Sequence, residues 1–502
     1  MRKLGKLCLV FLALAALLLV LAAACGGGEE KKVTPTVKPT ATATATRTAV
    51  ATAKPTATAT AKPTAAATAT ATAVATAKPT TSPTTSSPTA AATATPTAVP
   101  TTPPTVEPTP VAMKVDPHGI TDTEIILGTH FCLTGIYGAS FGPVLSGLKA
   151  YFRYINEEKG GIAACGNRQI KLLVENDDYD PAKSPAAVRK LVEQEDVFAI
   201  VAGLGTAAHS AVWEYLNEKG IPDLWIMTGA HKWGADPEAH PWSVAILPDY
   251  FVEGTIYGKY ISANLPGKKV GVLYQNDDYG KDELAGVKNG LDATKNELVS
   301  EQSFETTAVD IRSQVNKLKS DGAEVLVGGC IPGHCAQAIA QAYRLDWHPQ
   351  FFIGYVNSDP MMFTYVTSAT GGHVEAMDGV MTLQGNKLAT WTDDPAVAEH
   401  YRIMKLYGDM AVGNFTIEGQ LVGETMVEAL TRACNNGDLT RQGLMDAVHT
   451  FKEVRGTVGL PELSFTFSPT DHYAIEAMKI LKAHVADGKG TWEYEGDIIP
   501  FR

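Results

Sequence analysis

The sequence predicts an α/β fold, two doubly wound Rossmann-like lobes behind a disordered N-terminal tether. Three observations carry that prediction. Along residues 113–502, short apolar runs of strand character alternate with helical stripes, the order that builds parallel sheets covered by helices. That stretch is 390 residues long, more than one hydrophobic core fills, and so divides into two lobes. Before it, the chain up to Ala112 is mostly Thr, Ala and Pro, with too little apolar volume to offset the entropy of ordering it.

The first element is a leader. Arg2, Lys3 and Lys6 precede an apolar run from Cys8 to Ala24. Such a run can be read as a short membrane helix, but its basic start and small-residue end fit a cleaved secretory signal over residues 1–24 better. Leu21-Ala22-Ala23-Ala24-Cys25-Gly26-Gly27 resembles the bacterial lipobox, with Ala22 where Leu is more usual. The resemblance implies acylation of Cys25 and a place on the outer face of the cytoplasmic membrane or at the cell surface. One acyl chain binds a membrane only marginally, so a stable anchor needs several. Residues 25–112 are then a tether, punctuated by Lys-Pro-Thr at Lys54, Lys62 and Lys78. Stretched at about 3.1 Å per residue it reaches on the order of 250 Å; as a flexible coil it averages roughly 50–60 Å.

Charge separates the two parts. Residues 1–112 hold ten Lys or Arg and three Asp or Glu, a balance of +7. The whole chain carries −12, which leaves −19 on residues 113–502. An acidic globular part argues against nucleic acid as a partner. Beyond Cys8 and Cys25, five cysteines remain: Cys132, Cys165, Cys330, Cys335 and Cys434. Outside the cytoplasm pairing is expected, and Cys330 and Cys335 are near enough in sequence to bridge. Cys330, His334 and Cys335 have the wrong spacing for the usual zinc sites.

Strands are expected at Glu124–Phe131, Gln169–Asn176, Phe198–Ala202, Asp223–Met227, Lys269–Tyr274, Glu324–Gly328, Gln350–Gly354 and Gly379–Leu383, mostly short apolar runs suited to buried parallel strands. Val144, Leu148, Tyr151, Phe152 and Ile155 share one helical face, with Gly160 as the C-terminal stop. Leu284, Val287 and Leu291 form a second stripe, and Ile311, Val315 and Leu318 a third. In such sheets ligands sit at the carboxyl ends of strands, beside helix N-termini.

Three motif matches are weak in context. Gly138-Ala139-Ser140-Phe141-Gly142 matches a hydrolase nucleophile elbow, yet only one strand precedes it and that strand ends near Phe131, several residues too early. Gly203-Leu204-Gly205-Thr206-Ala207-Ala208 matches a dinucleotide loop, but Asp223 stands at the wrong end of the next strand to hold a ribose. What survives is a small-residue loop whose backbone N–H groups suit a carboxylate or another acceptor-rich group. Asn276-Asp277-Asp278 lacks the ligand spread of a calcium loop and reads as the cap of a helix starting near Tyr279.

Several segments, in order and spacing, resemble the type I periplasmic binding proteins of the leucine/isoleucine/valine-binding family. They are Gly119-Ile120-Thr121-Asp122-Thr123-Glu124-Ile125, Leu133-Thr134-Gly135, Tyr154-Ile155-Asn156-Glu157, Asp178-Tyr179-Asp180-Pro181, Leu191-Val192-Glu193-Gln194, Gly220-Ile221-Pro222, and Tyr274 to Asp282. The resemblance implies two lobes joined by a three-strand hinge, residues 113–245 with 377–458 and residues 246–376 with 459–485, followed by a tail over 486–502. It implies a solute receptor of an ABC importer, with a membrane permease as partner, no catalysis and no cofactor; a sensory receptor on the same fold is the alternative, and a hydrolase using Ser140 a remote one.

Carried over by position, the ligand contacts in the first lobe are Phe141 or Tyr137, then Thr206 and Ala207, then Thr228, Gly229 and Ala230. In the second lobe they are Tyr279, Ile331 and Tyr355, and His231 and Trp233 of the first are further wall candidates. This sequence departs from the family at Cys330 and Ile331, where a Tyr is usual, and at Val356, where amino-acid receptors carry an acid for the ammonium group. Asp359 is near but off in spacing. An amide, a urea-like compound or a carboxylic acid therefore fits these loops at least as well as an amino acid. Cys25→Ala is expected to release the protein from the membrane fraction with its ligand affinity intact; retention on the membrane, or a loss of affinity, would contradict an anchor that acts only as a leash.

Overall fold

Ile125 and Leu127–Phe131 are buried because the run they belong to becomes a central strand of a sheet covered on both faces. The computed structural model describes residues 113–475 and 477–500; the expected signal segment, the acylated Cys25 and the tether over 25–112 lie outside the described residues.

In chain order the first lobe contributes β1 (Lys114–Val115), β2 (Glu124–Phe131), helix α1 (Gly135–Glu158), β3 (Gln169–Asn176), β4 (Ala199–Val201), helix α2 (Thr206–Ser210), β5 (Asp223–Ile226) and β6 (Ser243–Ala245). The second contributes helix α3 (Tyr250–Asn264), β7 (Lys269–Gln275), helix α4 (Asp278–Gly290), β8 (Glu297–Phe304), β9 (Val325–Gly329), helix α5 (Pro332–Arg344), β10 (Gln350–Ile353) and β11 (Met381–Gln384). The chain returns with helix α6 (Asn414–Asn435) and β12 (Asp438–Leu439), which pairs with β1, and finishes in the second sheet with β13 (Ala477–Ala486) and β14 (Lys489–Pro500). The first sheet runs β3-β2-β4-β5-β6, all parallel. The second runs β14-β13-β11-β10-β9-β7-β8, with β13 antiparallel to both of its neighbours and the remaining pairs parallel.

Two expectations are corrected. The strand expected at Gly379–Leu383 is β11, and it pairs with β10, so the return to the first lobe comes after Gln384 and not at 377. The stretch 486–502 is not a tail: its described part is β14, folded back on β13 through Asp487 and Gly488. Both turn residues have positive φ, 51° and 72°, the geometry of a two-residue hairpin loop for which Asp-Gly is suited. Trp492 of β14 is buried against Phe363 with ring centroids 5.2 Å apart, which explains why the edge stays on the sheet.

Each lobe is tightened by helices that touch backbone to backbone. A Cβ at Gly147 of α1 would lie 2.0 Å from the Thr416 carbonyl oxygen of α6, and one at Gly419 of α6 would lie 2.0 Å from the Val144 oxygen of α1. In the second lobe, α3 and α4 meet in the same way: a Cβ at Gly286 would lie 2.1 Å from the Phe251 oxygen, and one at Gly254 would lie 2.2 Å from the Glu283 oxygen. A Cys165–Cys434 disulfide ties the turn after α1 to the end of α6, and Cys330–Cys335 joins the end of β9 to the first turn of α5. Cys132 is free and buried. Gly147→Ala is expected to destabilise by about 1–3 kcal/mol through overpacking, although Ala is by about 1 kcal/mol the better helix former; a urea midpoint that stays put or rises would contradict the close crossing.

Candidate functional site

Parallel sheets bring the carboxyl ends of their strands to one rim, and both rims here face one cavity. From the first lobe come Phe141 and Val144 on α1, Leu204, Gly205 and Thr206 after β4, and Met227 and Thr228 after β5. Tyr279 of α4, Ile331 before α5, and Tyr355 and Val356 after β10 come from the second. Tyr179, Leu247, Tyr250, Phe415 and Glu418 complete the wall.

Local chemistry aims these groups. Tyr179 follows Asp178, and both hold left-handed backbone (φ 60° and 54°), a costly conformation for residues other than glycine. The turn is over-determined: the Asp178 carboxylate accepts from Thr134 Oγ1 at 2.5 Å, from Asn176 Nδ2 at 2.7 Å and from Lys183 Nζ at 2.6 Å. Gly205 is required beneath it, because a Cβ there would lie 2.3 Å from the Tyr179 ring. The loop from Gly203 to Thr206 rests on a fully buried chain, Asp177–His130–His209–Asp223, with contacts of 2.7, 2.9 and 2.8 Å. These bonds tie β2, α2 and β5 together beneath the loop, which fixes the start of α2. Thr206 Oγ1 and Thr228 Oγ1 are 2.5 Å apart, so two adjacent loops present one paired hydroxyl site.

The remaining contacts are aromatic and acidic. Among the described residues Glu418 is the only carboxyl on the wall, and no Lys, Arg or His joins it. Burial pushes its pKa up to about 8, the Tyr355 hydroxyl bonds it, and Asp359 nearby repels its charge. Burial also holds the Tyr355, Tyr279 and Tyr179 hydroxyls well above their ordinary value. Asp359 does not reach the cavity: its carboxylate accepts from Met361 N at 2.9 Å and, across to the helix of the other lobe, from Phe415 N at 2.9 Å. Further bonds between the lobes run from the Tyr137 hydroxyl to the Thr306 carbonyl at 2.6 Å and from His231 N to Asp282 at 2.8 Å.

Of the residues expected from sequence, Phe141, Thr206, Thr228, Tyr279, Ile331 and Tyr355 meet at this wall. Tyr137, Ala207, Gly229 and Ala230 do not. Tyr137 stacks on the outer face of Tyr179, with centroids 4.1 Å apart. Gly229 is pressed against the Pro248 carbonyl, which a Cβ would approach to 1.9 Å. Ala230 packs with Trp213, Ile226, Trp233 and Ala245, so Trp233 is core, and His231 pairs with Asp249 at 2.6 Å. Ser140 lies inside α1, where its hydroxyl donates to the Ile136 carbonyl at 2.8 Å, and not on a nucleophile elbow. Sequence reasoning missed Tyr179, Tyr250, Phe415 and Glu418. One signal for the last was present: an acid inside the apolar stripe Phe415, Ile417, Leu421 and Val422.

Folding raises the pKa of Glu418 from 4.5 to about 8, so the folded state keeps a proton that the unfolded state has released. The stability this group contributes is full below its unfolded value of 4.5 and is lost as pH rises through about 8. Glu253, buried beside Tyr257 and the Tyr355 backbone, is raised to about 8 in the same way. Glu418→Gln is therefore expected to flatten, but not abolish, the fall in apparent Tm between about pH 5 and about pH 9; thermal melts with an unchanged slope would contradict the burial of this carboxyl.

Known proteins share this architecture. Residues 124–489 match the model of a family described as periplasmic binding protein. An amino acid binding protein of Pseudomonas aeruginosa is 25% identical over 332 residues, 64% of this chain and 81% of the relative. Among solved structures, a fatty acid ABC transporter substrate-binding protein from Thermomonospora curvata superposes with a TM-score of 0.64 at 23% identity, covering 76% of this chain and 94% of that one. A branched chain amino acid ABC transporter from Thermus thermophilus with bound valine gives 0.65 at 17% identity, covering 76% and 97%. The match spans most of the chain and coincides with the two sheets that frame the cavity: the protein belongs to the periplasmic binding protein family.

Proposed function

We propose that this protein is the extracytoplasmic solute receptor of an ABC importer, held to the membrane through Cys25 and a long tether, and that it captures one small amphipathic metabolite by closure of its lobes. One observation carries the reading: the cavity wall is shared, with Phe141, Thr206 and Thr228 from one lobe and Tyr279, Ile331 and Tyr355 from the other. A ligand that touches both walls binds the closed arrangement better than the open one, and that difference in affinity is all that closure needs. The wall is mostly apolar with a few polar groups, the make-up of a small-molecule site. Amino acids, amides, urea-like compounds and carboxylic acids are the classes that fit. The relatives named for amino acids, valine and fatty acid support this range. The tether sets how often a loaded receptor meets its permease.

The experiment is a thermal-shift screen of the full chain against these four classes. A true ligand at 100 times its Kd stabilises by about 2.7 kcal/mol. Phe141→Ala and Tyr279→Ala, one from each lobe, are each expected to weaken the best ligand by about tenfold or more, as loss of a buried aromatic costs 1.4 kcal/mol or more. A panel without any shift would contradict the receptor reading, and a ligand sensitive to only one of the two variants would contradict capture between lobes.

A further inference from the structure

Glu418 occupies a position that the polypeptide alone does not explain. It is 4% exposed, sits on α6 one helical turn after Phe415, and faces a cavity that no Lys, Arg or His among the described residues lines. Its partner is a neutral phenol, Tyr355, and the nearest other carboxyl, Asp359, is engaged by backbone N–H groups. Glu253 lies beyond Tyr355, bonded to its backbone N at 2.5 Å. A buried carboxyl with no basic side chain beside it is unfavourable when ionised and gains most from a cation brought by a ligand. The surroundings suit one: Phe141, Phe415 and the tyrosines on the wall offer ring faces of negative potential. The paired Thr206 and Thr228 hydroxyls supply the hydrogen bonds for a second polar group of the ligand.

We propose that Glu418 is the ammonium acceptor of this cavity, and hence that the solute carries one protonated amine. The assignment rests on the receptor reading above and deepens it: Val356 cannot pair with an ammonium group, and the carboxyl comes instead from the helix that returns to the first lobe. The step balances simply. Neutral Glu418 gives its proton to solvent, and the carboxylate so formed accepts an N–H of the ligand ammonium, so one proton is released for each amine bound. Because the empty site holds its proton up to about pH 8, affinity for an amine rises as pH climbs toward that value, by up to about tenfold per pH unit. A ligand with a carboxylate but no amine shows no such rise.

The test is calorimetric titration of the full chain with three matched pairs: L-valine and 3-methylbutanoate, L-leucine and 4-methylpentanoate, L-phenylalanine and 3-phenylpropanoate. The proposal expects the amine member of at least one pair to bind about tenfold or more tightly than its deamino partner. It expects about one proton released on binding at pH 7, read from buffers of different ionisation enthalpy. Glu418→Gln removes the preference and the proton release. Equal or tighter binding of the deamino partners, amine binding that survives Glu418→Gln, or binding without proton release overturns the proposal. So does a screen in which only amides, urea-like compounds or acids bind, and the receptor reading then stands. If no compound of the full panel binds, the receptor reading falls and the proposal with it. Should the variant not fold, proton release by the unsubstituted chain and its pH slope decide the matter.

Discussion

The crossing of α1 over α6 is the constraint on which the cavity depends. Gly147 and Gly419 let the two backbones touch, and an added methyl at either position would strike a carbonyl oxygen. That contact sets the depth of both helices. It places Phe141 and Val144 from one, and Phe415 and Glu418 from the other, side by side on the first-lobe wall. The Cys165–Cys434 disulfide holds the far ends of the same two helices. A cross-link over 269 residues removes much freedom from the unfolded chain, so it stabilises the pair that the glycines bring together. The site is thus built less by its loops than by the helices beneath them.

The second lobe repeats the device with α3 and α4, and the repetition has an electrostatic consequence. Close approach at Gly254 and Gly286 brings Glu253 and Glu283 into the same interior. Burial raises both pKa values, and the charge of Glu253 raises that of Glu283 further. Their neighbours are Tyr257, Tyr279 and Tyr355, two of which reach the cavity. Phenols that are buried and far above their ordinary pKa stay neutral, so they offer hydrogen bonds without competing for a charge. Among the described residues the wall thus carries one carboxyl, Glu418, and no basic side chain.

Most of this fold was legible because buried parallel strands read as apolar runs. Where a strand is polar, short or at an edge, that signal fails. Glu297–Phe304 carries Ser300, Gln302 and Ser303 because it lies at the edge of its sheet. Ser243–Ala245 is only three residues long. The β13–β14 hairpin was marked by Asp487-Gly488 and by the alternation around Trp492 and Tyr494, a local signal that weighed less than its place at the end of the chain. The candidate site divides the same way. Thr206, Thr228, Tyr279, Ile331 and Tyr355 follow strand ends or open helices, positions that topology alone selects. Tyr179 depends on a strained turn, Tyr250 on a crossover between lobes, and Phe415 and Glu418 on a helix that begins at Asn414, far from the end of α1 at Glu158, brought back by tertiary packing. Tyr137 and Ala230 had the right neighbours in sequence but face away, one onto Tyr179 and one into a tryptophan cluster.

The central claim is that the shared cavity holds one small molecule at a time. Native mass spectrometry of the purified full chain, after exchange into each class of candidate solute, tests it most directly. The account predicts a single added mass per chain, below a few hundred daltons, that disappears when Phe141 and Tyr279 are both changed to alanine. An added mass that persists in that double variant, or a chain that never gains one, would contradict it.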